Sequence, residues 1–171
     1  MKKIFVTLLV AMCFSFFTKA QEYNHSIGVT AGMLNAISYK GFVTEHLAVQ
    51  TDLGIGINYA PIGLGYAMNC WDFRVNPNMV FQGNIINGGT GTLAFAGGFG
   101  FSIGEVNDYY YNSLIGGRLG INALLGIEYI SYQSPITFGF DFRPGYGLFF
   151  DDYMLYHAFD WGLNISLRYK F

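Results

Sequence analysis

The sequence predicts an all-β fold, an eight-stranded antiparallel up-and-down β-barrel that crosses a membrane. Three observations carry that prediction. The 171 residues are 52% hydrophobic and 19% aromatic but only 12% charged, with 23 glycines. That excludes a disordered chain and is unusual for a soluble enzyme, yet it is ordinary for a barrel whose outside meets lipid. Apolar residues alternate with polar or small ones at period two along most of the chain, and turn-forming clusters divide residues 21–171 into eight such stretches.

The segment before the first strand reads as a targeting signal. Residues 1–20 carry Lys2 and Lys3, an apolar run from Ile4 through Phe17 and the small-residue end Thr18-Lys19-Ala20, the pattern of a secretory signal peptide cut before Gln21. A lipidated Cys13 is the rival reading, but Met12 stands where a small residue is needed and the apolar run continues past it. Residues 21–171 then form the barrel domain, with six basic and eleven acidic groups and a net charge of −5. No basic surplus is left to neutralise phosphates, so nucleic acid is excluded as a partner. Cys70 is the one cysteine in that domain, which leaves no intramolecular disulfide.

The strands are expected near residues 26–34, 36–44, 47–59, 73–87, 91–104, 116–130, 135–148 and 156–171. In the third, Leu47, Val49, Leu53, Ile55 and Ile57 oppose Ala48, Gln50, Asp52, Gly54 and Gly56. In the fifth, Leu93, Phe95, Phe99, Phe101 and Ile103 oppose Thr92, Ala94, Ala96, Gly98, Gly100 and Ser102. The sixth sets Leu119, Ile121, Ala123, Leu125, Ile127 and Tyr129 against Arg118, Gly120, Asn122, Gly126 and Glu128, with Leu124 breaking the rule. The last is the clearest: Phe159, Trp161, Leu163, Ile165, Leu167, Tyr169 and Phe171 share one face, and Asp160, Gly162, Asn164, Ser166, Arg168 and Lys170 the other. Residues 53–71 and 75–104 are free of charge, but their glycines, asparagines and prolines disfavour transmembrane helices.

A tilted membrane strand takes about 10 residues, so eight strands fit the chain and twelve would leave too little for connections. Expected connections alternate in length: residues 44–46, 87–90 and 131–134 are tight, and 60–72, 105–115 and 149–155 are longer. The first outer connection, around Leu34 and Asn35, is nearly absent. Short periplasmic turns and longer outer loops are the outer-membrane pattern, which places the chain in the outer membrane of a Gram-negative bacterium with both termini periplasmic.

On these residues the chain resembles the small eight-stranded outer-membrane barrels of the OmpA/OmpX type, the members that consist of a barrel alone. The resemblance is carried by the final Leu167-Arg168-Tyr169-Lys170-Phe171, with weaker support from Ser38-Tyr39-Lys40, Gly126-Ile127-Glu128-Tyr129, Ser134-Pro135 and Arg143-Pro144. It implies location and fold, with outer-membrane lipid and lipopolysaccharide as surroundings and Phe171 as a signal read by the barrel-assembly machinery. It does not imply a particular role, because function does not travel with fold.

The residues expected inside the barrel are the most informative set. Lys40, Asp52, Glu128, Asp141, Arg143 and Arg168, three acids and three bases, fall in the middle layers and must pair, since an unpaired buried charge costs several kcal/mol. A packed plug is the expectation, with an ion or proton path as its alternative. Tyr109, Tyr110 and Tyr111, near Glu105 and Asp108, form an aromatic, mildly acidic outer loop suited to an unidentified surface partner or to the headgroup girdle. Catalysis has thin support: a lipid A acyltransferase or deacylase needs a histidine with a serine and a carboxylate at the outer rim, and only His157 is near it. Neither metal nor cofactor motifs occur. The function read from sequence is a non-enzymatic structural or surface-interaction barrel, ahead of a lipid A-modifying enzyme and of a secreted lipocalin-like carrier.

Overall fold

The computed structural model describes residues 23–62, 66–108, 114–150 and 155–171. Eight strands follow one another in chain order: β1 (His25–Gly32), β2 (Leu34–Phe42), β3 (Leu47–Ile62), β4 (Tyr66–Asn87), β5 (Gly91–Asp108), β6 (Leu114–Ser131), β7 (Ile136–Phe150) and β8 (Leu155–Lys170). Each pairs antiparallel with its neighbour, and β1 pairs with β8 to close the barrel. Closure pairs both edges of every strand, so the sheet has no free edge.

Register links the strands to the barrel's shape. Partners carried round the wall from Lys40 pass through Gln50, Asn78, Gly100, Asn122 and Gly145 to Asp160, and in the other direction through Ser26 to Lys170. The two arrivals on β8 are ten residues apart, a stagger that goes with strongly tilted strands and a lumen just wide enough for side chains. Alternation then sorts the residues. Ile27, Ile37, Leu53, Phe99, Ile121, Phe140 and Ile165 face out, and the polar set between them faces in.

The connections depart from the expected alternation. Residues 60–72 are largely strand, with Ile62 opposite Tyr66, and β5 runs on to Asp108 where a loop was expected from Glu105. The asymmetry between the two ends lies in strand length, with β3, β4, β5 and β6 running 16, 22, 18 and 18 residues away from the end where the chain starts and stops. The β1–β2 hairpin is the exception, joined by Met33 alone and two residues earlier than expected. Gly32 takes a φ of 143°, open to glycine, and a side chain there would run into the Leu163 carbonyl. Asn35 holds the turn, its side chain accepting from Gly32 N at 3.4 Å and donating to Gly32 O at 3.3 Å.

The inner face is not uniformly polar, as the alternation had suggested. Val80, Ala96 and Leu124 form one buried cluster, and Tyr23, Ala94 and Ile130, with Phe42 against them, form another at the end that holds both termini. Leu124, which looked like a break in the pattern, points inward with its neighbours. A bulge between Asn84 and Ile86 lets both Ile85 and Ile86 face out, which is why alternation fails near the end of β4.

Candidate functional site

All six charged residues singled out from the sequence are buried in the lumen: Lys40, Asp52, Glu128, Asp141, Arg143 and Arg168. They form two clusters. Nearer the termini, Glu128 on β6 accepts from Lys40 Nζ at 2.6 Å, Thr137 at 2.8 Å, Tyr23 at 3.1 Å and Arg168 Nη1 at 3.3 Å. Lys40 also bonds Gln82, and its ammonium lies 5.3 Å from the Phe42 ring centroid. Burial, and after it the charge of Glu128, hold the Tyr23 phenol well above its ordinary pKa, so it stays a donor.

Halfway along the lumen Arg143 bridges two carboxylates. Its Nη1 lies 2.5 Å from Asp52 and its Nε 2.6 Å from Asp141, with Nη2 adding a bond of 3.1 Å to Asp141. Gln50 donates to Asp52 at 3.2 Å and Asn164 to Asp141 at 3.1 Å. Asn164 in turn accepts from the backbone of Leu34 at 3.0 Å, which ties the β1–β2 turn to β8. Ser38 joins the clusters, since Arg168 Nε donates to it at 3.1 Å and Ser38 pairs with Asp52 across the β2–β3 ladder.

A third cluster was missing from the sequence reading. Toward the far end Asp72 takes Arg118 Nη1 at 2.6 Å and Arg74 Nε at 3.1 Å, all three buried. Asp72 is expected in a connection from the sequence, and neither Arg74 nor Arg118 is singled out with the inward charges. The signal was nevertheless present: Arg74 shares parity with Asn76 and Asn78, and Arg118 with Asn122. A small cavity lies among Arg74, Arg118, Arg143, Asn76 and Asn122, walled by Met33 and Leu34 at the hairpin tip.

The described lysines and arginines are therefore all drawn inward. Lys40, Arg74, Arg118, Arg143 and Arg168 are buried, and Lys170 reaches the Ser131 carbonyl at the terminal mouth. Phe171 closes the wall: its backbone exchanges hydrogen bonds of 3.1 and 2.8 Å with His25, whose ring lies 5.8 Å from its own, and His25 Nδ1 bonds Tyr39 at 2.9 Å. Tyr109, Tyr110 and Tyr111 lie outside the described residues, as do the side chains of Cys70, His157 and Asp160. Among the described residues no cluster of metal-binding side chains occurs.

No protein-family model matches the chain, and no curated protein does so significantly. Among solved structures it is similar to Neisserial surface protein A, with 14% identity, a TM-score of 0.55, and coverage of 86% of this chain and 93% of that one. At that identity the likeness speaks for architecture: the chain has the fold of the eight-stranded outer-membrane barrels.

Proposed function

We propose that residues 1–20 export the chain and that residues 21–171 form a non-enzymatic barrel in the outer membrane of a Gram-negative bacterium, termini in the periplasm. Its role is structural or surface-interacting, exercised through the far-end loops. One observation supports this most: the lumen is filled by paired charges and sealed at the terminal mouth by Tyr23, Phe42 and Ile130. An interior so filled conducts nothing and carries nothing, which leaves the outside to do the work. A lipocalin-like carrier needs an apolar cavity, and the buried charges argue against one. Outer-membrane lipid and lipopolysaccharide surround the wall in this reading, and the barrel-assembly machinery reads Phe171 before the barrel closes.

Planar-bilayer recording of the purified barrel tests this, with no stable conductance expected. Steady single-channel steps would overturn the plug. Replacing Tyr109, Tyr110 and Tyr111 by serine should leave heat-modifiable gel mobility intact while abolishing binding to host surfaces or envelope partners. His157→Ala should leave lipid A acylation unchanged, and an altered acyl-chain number would establish the enzyme instead.

A further inference from the structure

Two prolines of the wall sit where its ladder is interrupted. The pairing of β4 with β5 stops at Val75 opposite Ile103 and resumes at Asn78 opposite Gly100, with Pro77 in between. The pairing of β7 with β6 stops at Phe142 opposite Leu125 and resumes at Gly145 opposite Asn122, with Pro144 in between. Both prolines face the interrupted side. The Pro77 carbonyl lies against Gly100 of β5, and the carbonyls of Phe140 and Tyr146, which share the parity of Pro144, lie against Gly126 and Gly120 of β6. Proline has no N–H to give, so the carbonyls of Phe101 and Ala123 opposite them lose their ladder donors.

The two interruptions border one cavity. Asn76 and Ser102 flank the first, Asn122 and Arg143 the second, and all four line the cavity together with Arg74 and Arg118. It offers about 30 Å³ to the centres of water molecules. One water needs roughly 10–15 Å³ of such room, so two fit.

Three guanidinium groups around a cavity would suit an anion, but the hydrogen bonds decide otherwise. Arg143 is bound to Asp52 and Asp141, and Arg74 and Arg118 both meet Asp72. The amides set the opposite polarity. Asn78 donates its Nδ2 to the Asn76 carbonyl at 3.0 Å, which fixes its Oδ1 as the acceptor of Asn122 Nδ2 at 2.5 Å. That chain leaves an oxygen, not an amine, at the other end of the Asn122 amide. Asn122 Oδ1 and Asn76 Oδ1 are buried and accept no hydrogen bond from the described residues, and Asn76 is only 4% exposed. The ligand must therefore donate to oxygens as well as accept from guanidinium groups, which an anion does not do. We infer that the cavity binds two water molecules as fixed parts of the wall. Their four O–H donors match the two amide oxygens and the two carbonyls that face prolines. The site does not depend on what surrounds the barrel, and two fixed waters leave the lumen plugged.

The test is a crystal structure of the full chain at a resolution that shows ordered water, with a second crystal soaked in bromide. Two water peaks are expected in the cavity, each about 2.7–3.2 Å from one of the two amide oxygens, and bromide should give no anomalous peak there. A bromide peak would make the site an anion site and overturn the inference, and so would a cavity without density. Asn76→Leu removes one acceptor while its backbone carbonyl still holds Asn78, so one peak should vanish and the one at Asn122 remain. Both peaks surviving would show that the amide oxygens do not hold them, which also overturns it. In solution, cross-relaxation between water and the Asn122 side-chain amide should carry the sign of long-lived water in the unaltered chain. The sign of fast-exchanging surface water would count against the site, while the membrane reading stands under every one of these results.

Discussion

At the scale of single residues the lumen depends on hubs more than on pairs. Glu128 accepts from Lys40, Arg168, Thr137 and Tyr23, so Glu128→Ala strands two cations and is expected to cost about 3–5 kcal/mol, read as a lowered denaturant midpoint in detergent or lipid. Arg168→Ala should cost less, since three donors still hold the carboxylate; equal costs would show that Glu128 is not the hub. The outer face has a simpler rule. Ile165 is 63% exposed on the outer face of β8, and with the barrel in a bilayer Ile165→Lys should cost about 2–4 kcal/mol, whereas Ile165→Ala should cost far less. Its neighbour Ser166 is not the mild control that a roomy polar lumen would make it. At 1% exposure and packed against Gly139, it has no room for a lysine.

At the scale of elements the two short strands are the weak place. β1 has eight residues and β2 nine, whereas β4 has twenty-two, and the closing β1–β8 ladder spans seven register pairs. Local opening follows the lowest density of contacts and ladder bonds, so β1 and β2 amides should exchange hydrogen for deuterium before those of β4, β5 and β6. Exchange that begins in β5 or β6 would contradict this. Phe171 sits at the end of that seam. Deleting it removes both backbone bonds to His25 along with the ring contact, so the seam should open sooner even in detergent, in addition to any loss of assembly in cells. The insertion defect in cells should still exceed the refolding defect; surface levels equal to the unaltered chain would remove Phe171 as a signal.

For the whole molecule, charge is segregated by the wall. The described lysines and arginines lie in the lumen or at its terminal mouth, so much of the net −5 of residues 21–171 is carried elsewhere, as at the exposed Glu45 and Glu105. The export reading makes its own prediction at this scale: intact mass of the membrane-extracted protein should begin at Gln21, in open or cyclised form, and a retained start or a lipid on Cys13 would refute it.

Alternation by itself determined which residues share a face, because a strand's side chains repeat every two residues whatever surrounds them, and turn-forming clusters with the length a strand needs determined the strand number. For that reason Lys40, Asp52, Glu128, Asp141, Arg143 and Arg168 were legible as an inward set, and β5, β6 and β8 were placed within a few residues. Which carboxylate serves which cation was decided only in three dimensions. Tilt and stagger bring Arg143 of β7 against Asp52 of β3 and Lys40 of β2 against Glu128 of β6, distances that no spacing along the chain encodes. The same geometry turned residues 66–72 from loop into wall and brought Asp72 under Arg118, because ladder partners are fixed by the neighbouring strand and not by a residue's own sequence context.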